Sequence, residues 1–141
     1  MTNRDWTALV RQLIEHEGFR LTPYTDTTGH LTIGVGRNLS DVGITREEAL
    51  DMLDRDIERA MGQLFLRWPW AAHLDPVRQR VLIDMVFNLG AEGVGKFRRM
   101  LAAVAAGEYE AAAAEMLASR WATQVGRRAV RLAQMMRTGA A

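Results

Sequence analysis

The hydrophobic pattern of this chain changes period near Gly18, and that change constrains the fold more than any other feature. Trp6, Leu9, Val10, Leu13 and Ile14 recur at helical spacing, which predicts an amphipathic helix over residues 3–16. Gly18 stops it. From residue 18 to residue 36 the composition turns to Thr, Tyr, Phe, Ile and Val, punctuated by Gly18, Pro23, Gly29, Gly34 and Gly36. That reads as a small β-hairpin or meander turning at Asp26–Gly29. After a short polar loop, Arg37–Ile44, the helical period returns and holds to the end. The expectation is an α+β fold, mostly helical, with one small β region near its start.

Local signals place the later helices. Thr45 with Glu48 is a capping box, and it opens a helix over about 45–64 whose stripe is Ala49, Leu50, Leu53, Ile57, Ala60, Met61 and Leu64. Trp68-Pro69-Trp70 breaks the pattern. Asp75-Pro76 is a cap followed by a first-turn proline. Val77, Val81, Leu82, Met85, Val86 and Leu89 then share one broad face up to Gly90, as expected of a buried central helix. Gly93-Val94-Gly95 precedes a helix reaching Ala106, stopped by Gly107. Shorter helices are expected at about 108–117 and 127–137. The division expected for the 141 residues is a single catalytic-size domain in two lobes. The small lobe covers about 14–50, and the helical lobe takes 1–13 plus 65–141. The 45–64 helix links them.

Composition removes several function classes. There is no cysteine, so disulfide and thiolate chemistry are excluded. His16, His30 and His73 are scattered, so no metal site and no cofactor are expected. The first residues, Met1-Thr-Asn-Arg-Asp-Trp6, do not have the basic-then-apolar plan of a signal peptide, and no transmembrane helix is expected. Net charge is +1, yet residues 118–141 hold Arg120, Arg127, Arg128, Arg131 and Arg137 and no acid. That segment suits either an anionic partner or a solvated basic face. No DNA-binding motif accompanies it, so a nucleic-acid partner is not expected.

The chemistry concentrates at three residues. Glu17 follows Leu13 and Ile14 at helical spacing, so its carboxyl is expected on the apolar face. It also ends its helix, where the negative end of the dipole disfavours an anion. Desolvation and dipole together raise a carboxyl pKa, as a general acid requires. Asp26 lies in Asp26-Thr27-Thr28-Gly29, which alone is an ordinary Asx turn. Thr32 lies in the next strand, where Thr ordinarily packs or pairs. A hairpin folding back beside the first helix brings all three together, and such a trio can hydrolyse a sugar polymer.

The blocks Glu17-Gly18-Phe19-Arg20-Leu21, Tyr24-Thr25-Asp26 and Gly29 through Gly36 resemble the phage-type lysozymes, the muramidases of glycoside hydrolase family 24. So do Asp84 through Gly90 with Gly93-Val94, Ser119-Arg120-Trp121, Gln124 and Arg128-Ala129. The resemblance keeps the family's order over most of the chain. It implies a lysozyme-like fold with a cleft between two lobes. It implies Glu17 as general acid, with Asp26 and Thr32 holding a water on the other face of the sugar in an inverting geometry. The implied substrate is the β-1,4 bond between N-acetylmuramic acid and N-acetylglucosamine in peptidoglycan. Phe87 and Asn88 match cleft positions, although close relatives carry Gln at the latter. Arg128 matches an arginine able to pair with the general acid. Tyr24 is placed to border the ligand or to pack in the small lobe, and Trp121 to anchor the helical core. Two departures concern the small lobe: the 37–44 loop is short, and Arg37 stands where T-even members carry His.

The resemblance further implies a monomer that accumulates in the host cytoplasm without a signal peptide. It would act on the cell wall after a holin-type membrane protein opens the way. The alternatives are a non-catalytic peptidoglycan-binding relative and a lytic transglycosylase, which cleaves the same bond without water. Retention of Glu17, Asp26 and Thr32 argues against the first, and a transglycosylase has no need of a water-positioning Asp or Thr.

Overall fold

A computed structural model describes every residue, Met1–Ala141. Two compact units divide the chain at residues 51 and 52. The fold is mostly helical with one small sheet, the α+β class expected from the sequence.

The first unit, Met1–Asp51, begins with α1, Asn3–Glu17. Its start is a capping box the periodicity did not reveal: Thr2 Oγ1 accepts from the Asp5 amide, and the Asp5 carboxylate accepts from the Thr2 amide. Three antiparallel strands follow in the order β1-β2-β3: β1 Arg20–Thr25, β2 Leu31–Gly34 and β3 Arg37–Asn38. The β1–β2 connection turns at Asp26–Gly29, as expected. The short β3 corrects the expected loop, which begins only after Asn38. Asn38 and Arg37 pair with Thr32 and Ile33. Arg37 is fixed there by a bidentate pair to Glu48, 3.0 and 2.9 Å, and by a bond to the Gly43 carbonyl.

α2, Arg46–Arg67, starts at the Thr45–Glu48 capping box and runs three residues past the expected end. The second unit is a helical bundle. It contains a short 3-10 helix Pro69–His73, α3 Pro76–Gly95, α4 Arg98–Ala105, α5 Tyr109–Leu117, α6 Arg120–Val125 and α7 Arg127–Thr138. Asp75 caps α3, its carboxylate accepting from the Arg78 amide. Gly90, expected as a stop, sits at φ +74 and breaks the helix, which then resumes as far as Gly95. α6 was missed; Ser119 caps it, and six residues are too few to show a period.

Val81, Leu82 and Met85 of α3 are fully enclosed with Leu64, Met100, Met116 and Met136. This is the apolar interior of the second unit. Arg78 secures its edge: the guanidinium lies 3.5 Å over the Tyr109 ring, pairs with Asp75, and donates to the carbonyls of Met136 and Arg137 at the end of α7.

Candidate active site

Glu17, Asp26 and Thr32 all belong to the first unit, together with Tyr24. Glu17 is the last residue of α1. The Gly18 amide closes the helix on the Ile14 carbonyl at 2.9 Å, and Gly18, at φ +82, turns the chain toward β1. The apolar surroundings expected at Glu17 are not found. α1 has no buried residue, Trp6 is 63% exposed, and Glu17 itself is exposed. The desolvation expected of Glu17 on an apolar face is therefore absent.

What Glu17 does have is a close backbone neighbour. Gly36, at φ +65 in the turn between β2 and β3, lies so near that a Cβ on it would fall 2.7 Å from Glu17 Oε2 and 3.2 Å from Glu17 Cβ. The glycine supplies both a left-handed conformation and the space for the carboxyl. The turn thus carries Glu17's surroundings, while the strand before it carries Thr32.

Asp26 closes the end of β1. Its Oδ1 accepts three hydrogen bonds: from the Thr28 amide at 2.9 Å, the Thr28 hydroxyl at 2.8 Å and the His30 amide at 2.8 Å. The His30 amide first, then the Thr28 hydroxyl, hold the Asp26 carboxyl below the usual carboxylate range. The Asx turn is real, and it also keeps the carboxylate ionised and aimed.

Thr32 is 3% exposed, the most enclosed residue of the first unit. It sits in the central strand, opposite Tyr24 on one side and Asn38 on the other. Its hydroxyl donates to the His30 carbonyl at 3.0 Å, and that same carbonyl accepts the Asp26 amide at 2.9 Å. One residue, His30, therefore ties Asp26 and Thr32 together: its amide holds the Asp26 carboxylate, and its carbonyl holds the Thr32 hydroxyl. Tyr24 shares the pairing row with Thr32 and lies under the Arg20 guanidinium at 4.5 Å.

Sequence reading missed His30 and its companions. The ring's Nδ1 lies 2.6 Å from Thr28 Oγ1, and its Nε2 lies 3.3 Å from Asp41 Oδ2. Asp41 is in turn bound to Asn38 by two bonds of 3.0 Å. The available signal was the run Asp26-Thr-Thr-Gly-His30, in which an Asx turn returns a ring to its own first residue.

The remaining expected site residues lie in the second unit. Phe87 is exposed. Asn88 accepts the Trp121 indole N–H at 2.8 Å, and the buried Trp121 meets Phe97 edge-on, ring centroids 5.9 Å apart. Trp121 is thus a core residue. Arg128 is bound by Asp84, with its Nε at 2.9 Å and Nη2 at 2.7 Å from Asp84 Oδ1. Its partner is thus Asp84 of α3, a residue that nothing in the local sequence pattern marks.

A mostly helical chain with a small three-stranded sheet, carrying Glu, Asp and Thr at a helix end, a turn and a central strand, defines a protein of the lysozyme-like class. The chain belongs to the phage lysozyme family, whose model matches residues 14–137. It is 30% identical over 160 residues to the pre-baseplate central spike protein Gp5 of Enterobacteria phage T4. That match covers 94% of this chain but 28% of the spike protein. It is also 26% and 25% identical to probable T4-type lysozymes 2 and 1 of Dictyostelium discoideum, covering 87% of this chain and 89% of each of them. The family is one of peptidoglycan-lytic glycosidases.

Proposed function

We propose that this chain is a muramidase. It hydrolyses the β-1,4 bond between N-acetylmuramic acid and N-acetylglucosamine of peptidoglycan with inversion at the anomeric carbon. Glu17 protonates the departing glycosidic oxygen. Asp26 and Thr32 hold and activate the attacking water. The observation that supports this reading best is the tie through His30, which gives a carboxylate and a hydroxyl one common anchor, as a shared water requires. A depressed, ionised Asp26 suits a group that stays anionic while Glu17 carries the proton. Tyr24, Phe87 and Asn88 are proposed to border the sugar chain.

The direct test is mass spectrometry of fragments released from purified peptidoglycan, with NMR of the fresh anomer. Reducing muramic ends with inverted configuration are expected. Anhydro-muramic ends would make the chain a lytic transglycosylase, and binding without release would make it a non-catalytic relative. Glu17→Gln, nearly isosteric, should abolish turnover with an unchanged melting curve.

We further propose a monomer serving host cell lysis, made in the host cytoplasm and admitted to the wall by a holin-type membrane protein. No helix is long and apolar enough to cross a membrane. Expression alone should be tolerated and co-expression with a holin should lyse the cells; rapid lysis without the holin would reject the dependence.

A further inference from the structure

The Thr28 hydroxyl has one proton and two acceptors within reach. Asp26 Oδ1 lies 2.8 Å away and His30 Nδ1 lies 2.6 Å away. It cannot donate to both. The other ring nitrogen, Nε2, faces Asp41 Oδ2 at 3.3 Å. Asp41 is held there by Asn38, whose own place is fixed by pairing with Thr32. The charged groups paired with the ring are Asp41, from the loop after β3, and Asp26, from the turn after β1, whose Oδ1 is 3.8 Å from Nδ1.

We propose that His30 is a positioning residue for Asp26: through the Thr28 hydroxyl, the charge on its ring decides how many donors the carboxylate has. A carboxylate at Nε2 keeps a proton on that nitrogen. In the neutral ring Nδ1 is then an acceptor, and it draws the Thr28 proton. Asp26 Oδ1 is left with two amide donors, from Thr28 and His30. In the charged ring Nδ1 donates to Thr28 Oγ1 instead. The hydroxyl proton swings to Asp26, which gains a third donor and a facing cation. A carboxylate so saturated is a poorer acceptor for the proton of a bound water. Charging His30 therefore weakens Asp26 as a base, and neutralising it leaves the carboxylate, through Oδ2, the better acceptor for the water's proton. The inference rests on the proposed role of Asp26. It adds a residue, a link and a pH dependence to that role.

The test uses the full chain labelled with carbon-13, with the Asp26 Cγ signal and the His30 ring followed through a pH titration. The Asp26 carbon should step at the midpoint of the His30 titration. The step should vanish in Thr28→Val and in His30→Gln and persist in Thr28→Ser. In kcat, the wild type should show an acid limb at that same midpoint. One pH unit below it, turnover should be about tenfold below the plateau. His30→Gln and Thr28→Val should both lose this limb, and Thr28→Ser should keep it. An Asp26 carbon with no step at the His30 midpoint, or a His30→Gln profile superimposable on the wild type, would overturn the proposal. Full turnover in Asp26→Asn would overturn the role of Asp26 and this proposal with it. The carbon titration distinguishes that result from failure of the hydrogen-bond link itself.

Discussion

Replacing Gly36 by alanine tests how closely the β2–β3 turn controls Glu17. Two effects are separable. The first is backbone strain: Gly36 lies at φ +65, where an L-residue costs about 1–2 kcal/mol. The second is contact. The new Cβ would stand 2.7 Å from Glu17 Oε2. Ordinary van der Waals contact begins at 3.4 Å, so the carboxyl must retreat by about 0.7 Å, that is 3.4 minus 2.7. Glu17 Cβ, 3.2 Å from the same point, limits how far rotation alone can help. A misplacement of about 1 Å can cost roughly 100-fold in rate, so a loss of roughly 10- to 100-fold in kcat is expected.

Gly34 provides the internal control. It has φ +69, almost the same conformation, but nothing lies within 4 Å of its added Cβ. Gly34→Ala should therefore show a similar drop in melting temperature with near-normal kcat. Gly36→Ala should show that drop together with the loss of activity. The assay is clearing of a peptidoglycan suspension, with kcat and KM separated, beside thermal melting by circular dichroism. Equal loss of kcat in the two variants would refute the reasoning, because backbone strain alone would then explain both.

Three further outcomes follow from the contacts described. Arg78→Met should destabilise the second unit by about 2–4 kcal/mol, since it removes charged hydrogen bonds to the end of α7 and the stack on Tyr109; chemical denaturation measures it, and a change below about 0.5 kcal/mol would contradict it. Glu48 is held down to about 2 by the Arg37 guanidinium first and then by the Thr45 amide. With its folded value below the unfolded one near 4.5, its stabilising effect is present above that pH and is lost as pH falls toward 2. Glu48→Gln should therefore flatten the acid side of the melting-temperature profile in that window. Both partners are partly exposed, so solvent screening keeps the effect modest. Ser119→Ala should cost about 1 kcal/mol by uncapping α6, read as a lower denaturation midpoint at unchanged slope.

Sequence made visible whatever is encoded by neighbours along the chain. The Thr45–Glu48 box, the Asp75-Pro76 start and the glycine stops are local, and they located α2, α5 and the start of α3 to within a few residues. The Asx turn at Asp26 and the strand at Thr32 were equally local. Four things were not. β3 is two residues long and exists only because β2 lies beside it. The surroundings of Glu17 depend on a turn nineteen residues away, where Gly36 comes against it. His30 reads as a turn residue until the register shows Thr28 on one side of its ring and Asp41 on the other. The Arg128–Asp84 pair joins α7 to α3, and no periodicity within either helix carries it.

The first unit has one fully enclosed residue, and that residue is the hydroxyl-bearing Thr32 rather than an aliphatic core. Its geometry is therefore set by means other than apolar packing. Strand pairing fixes Thr32 between Tyr24 and Asn38, and the Asx turn fixes Asp26 on the His30 peptide. The Arg37–Glu48 pair fastens β3 beside the start of α2, and the Gly36 turn comes up against Glu17. Hydrogen bonds are directional where apolar contact is not, so a small sheet can hold a carboxylate and a hydroxyl to a narrow geometry without a core of its own. The consequence is a division of labour within the chain. Changes in the Met-rich interior of the second unit act first on stability. On the roles proposed for Asp26 and His30, changes of a single hydrogen atom's direction in the first, at Thr28 or His30, act first on chemistry.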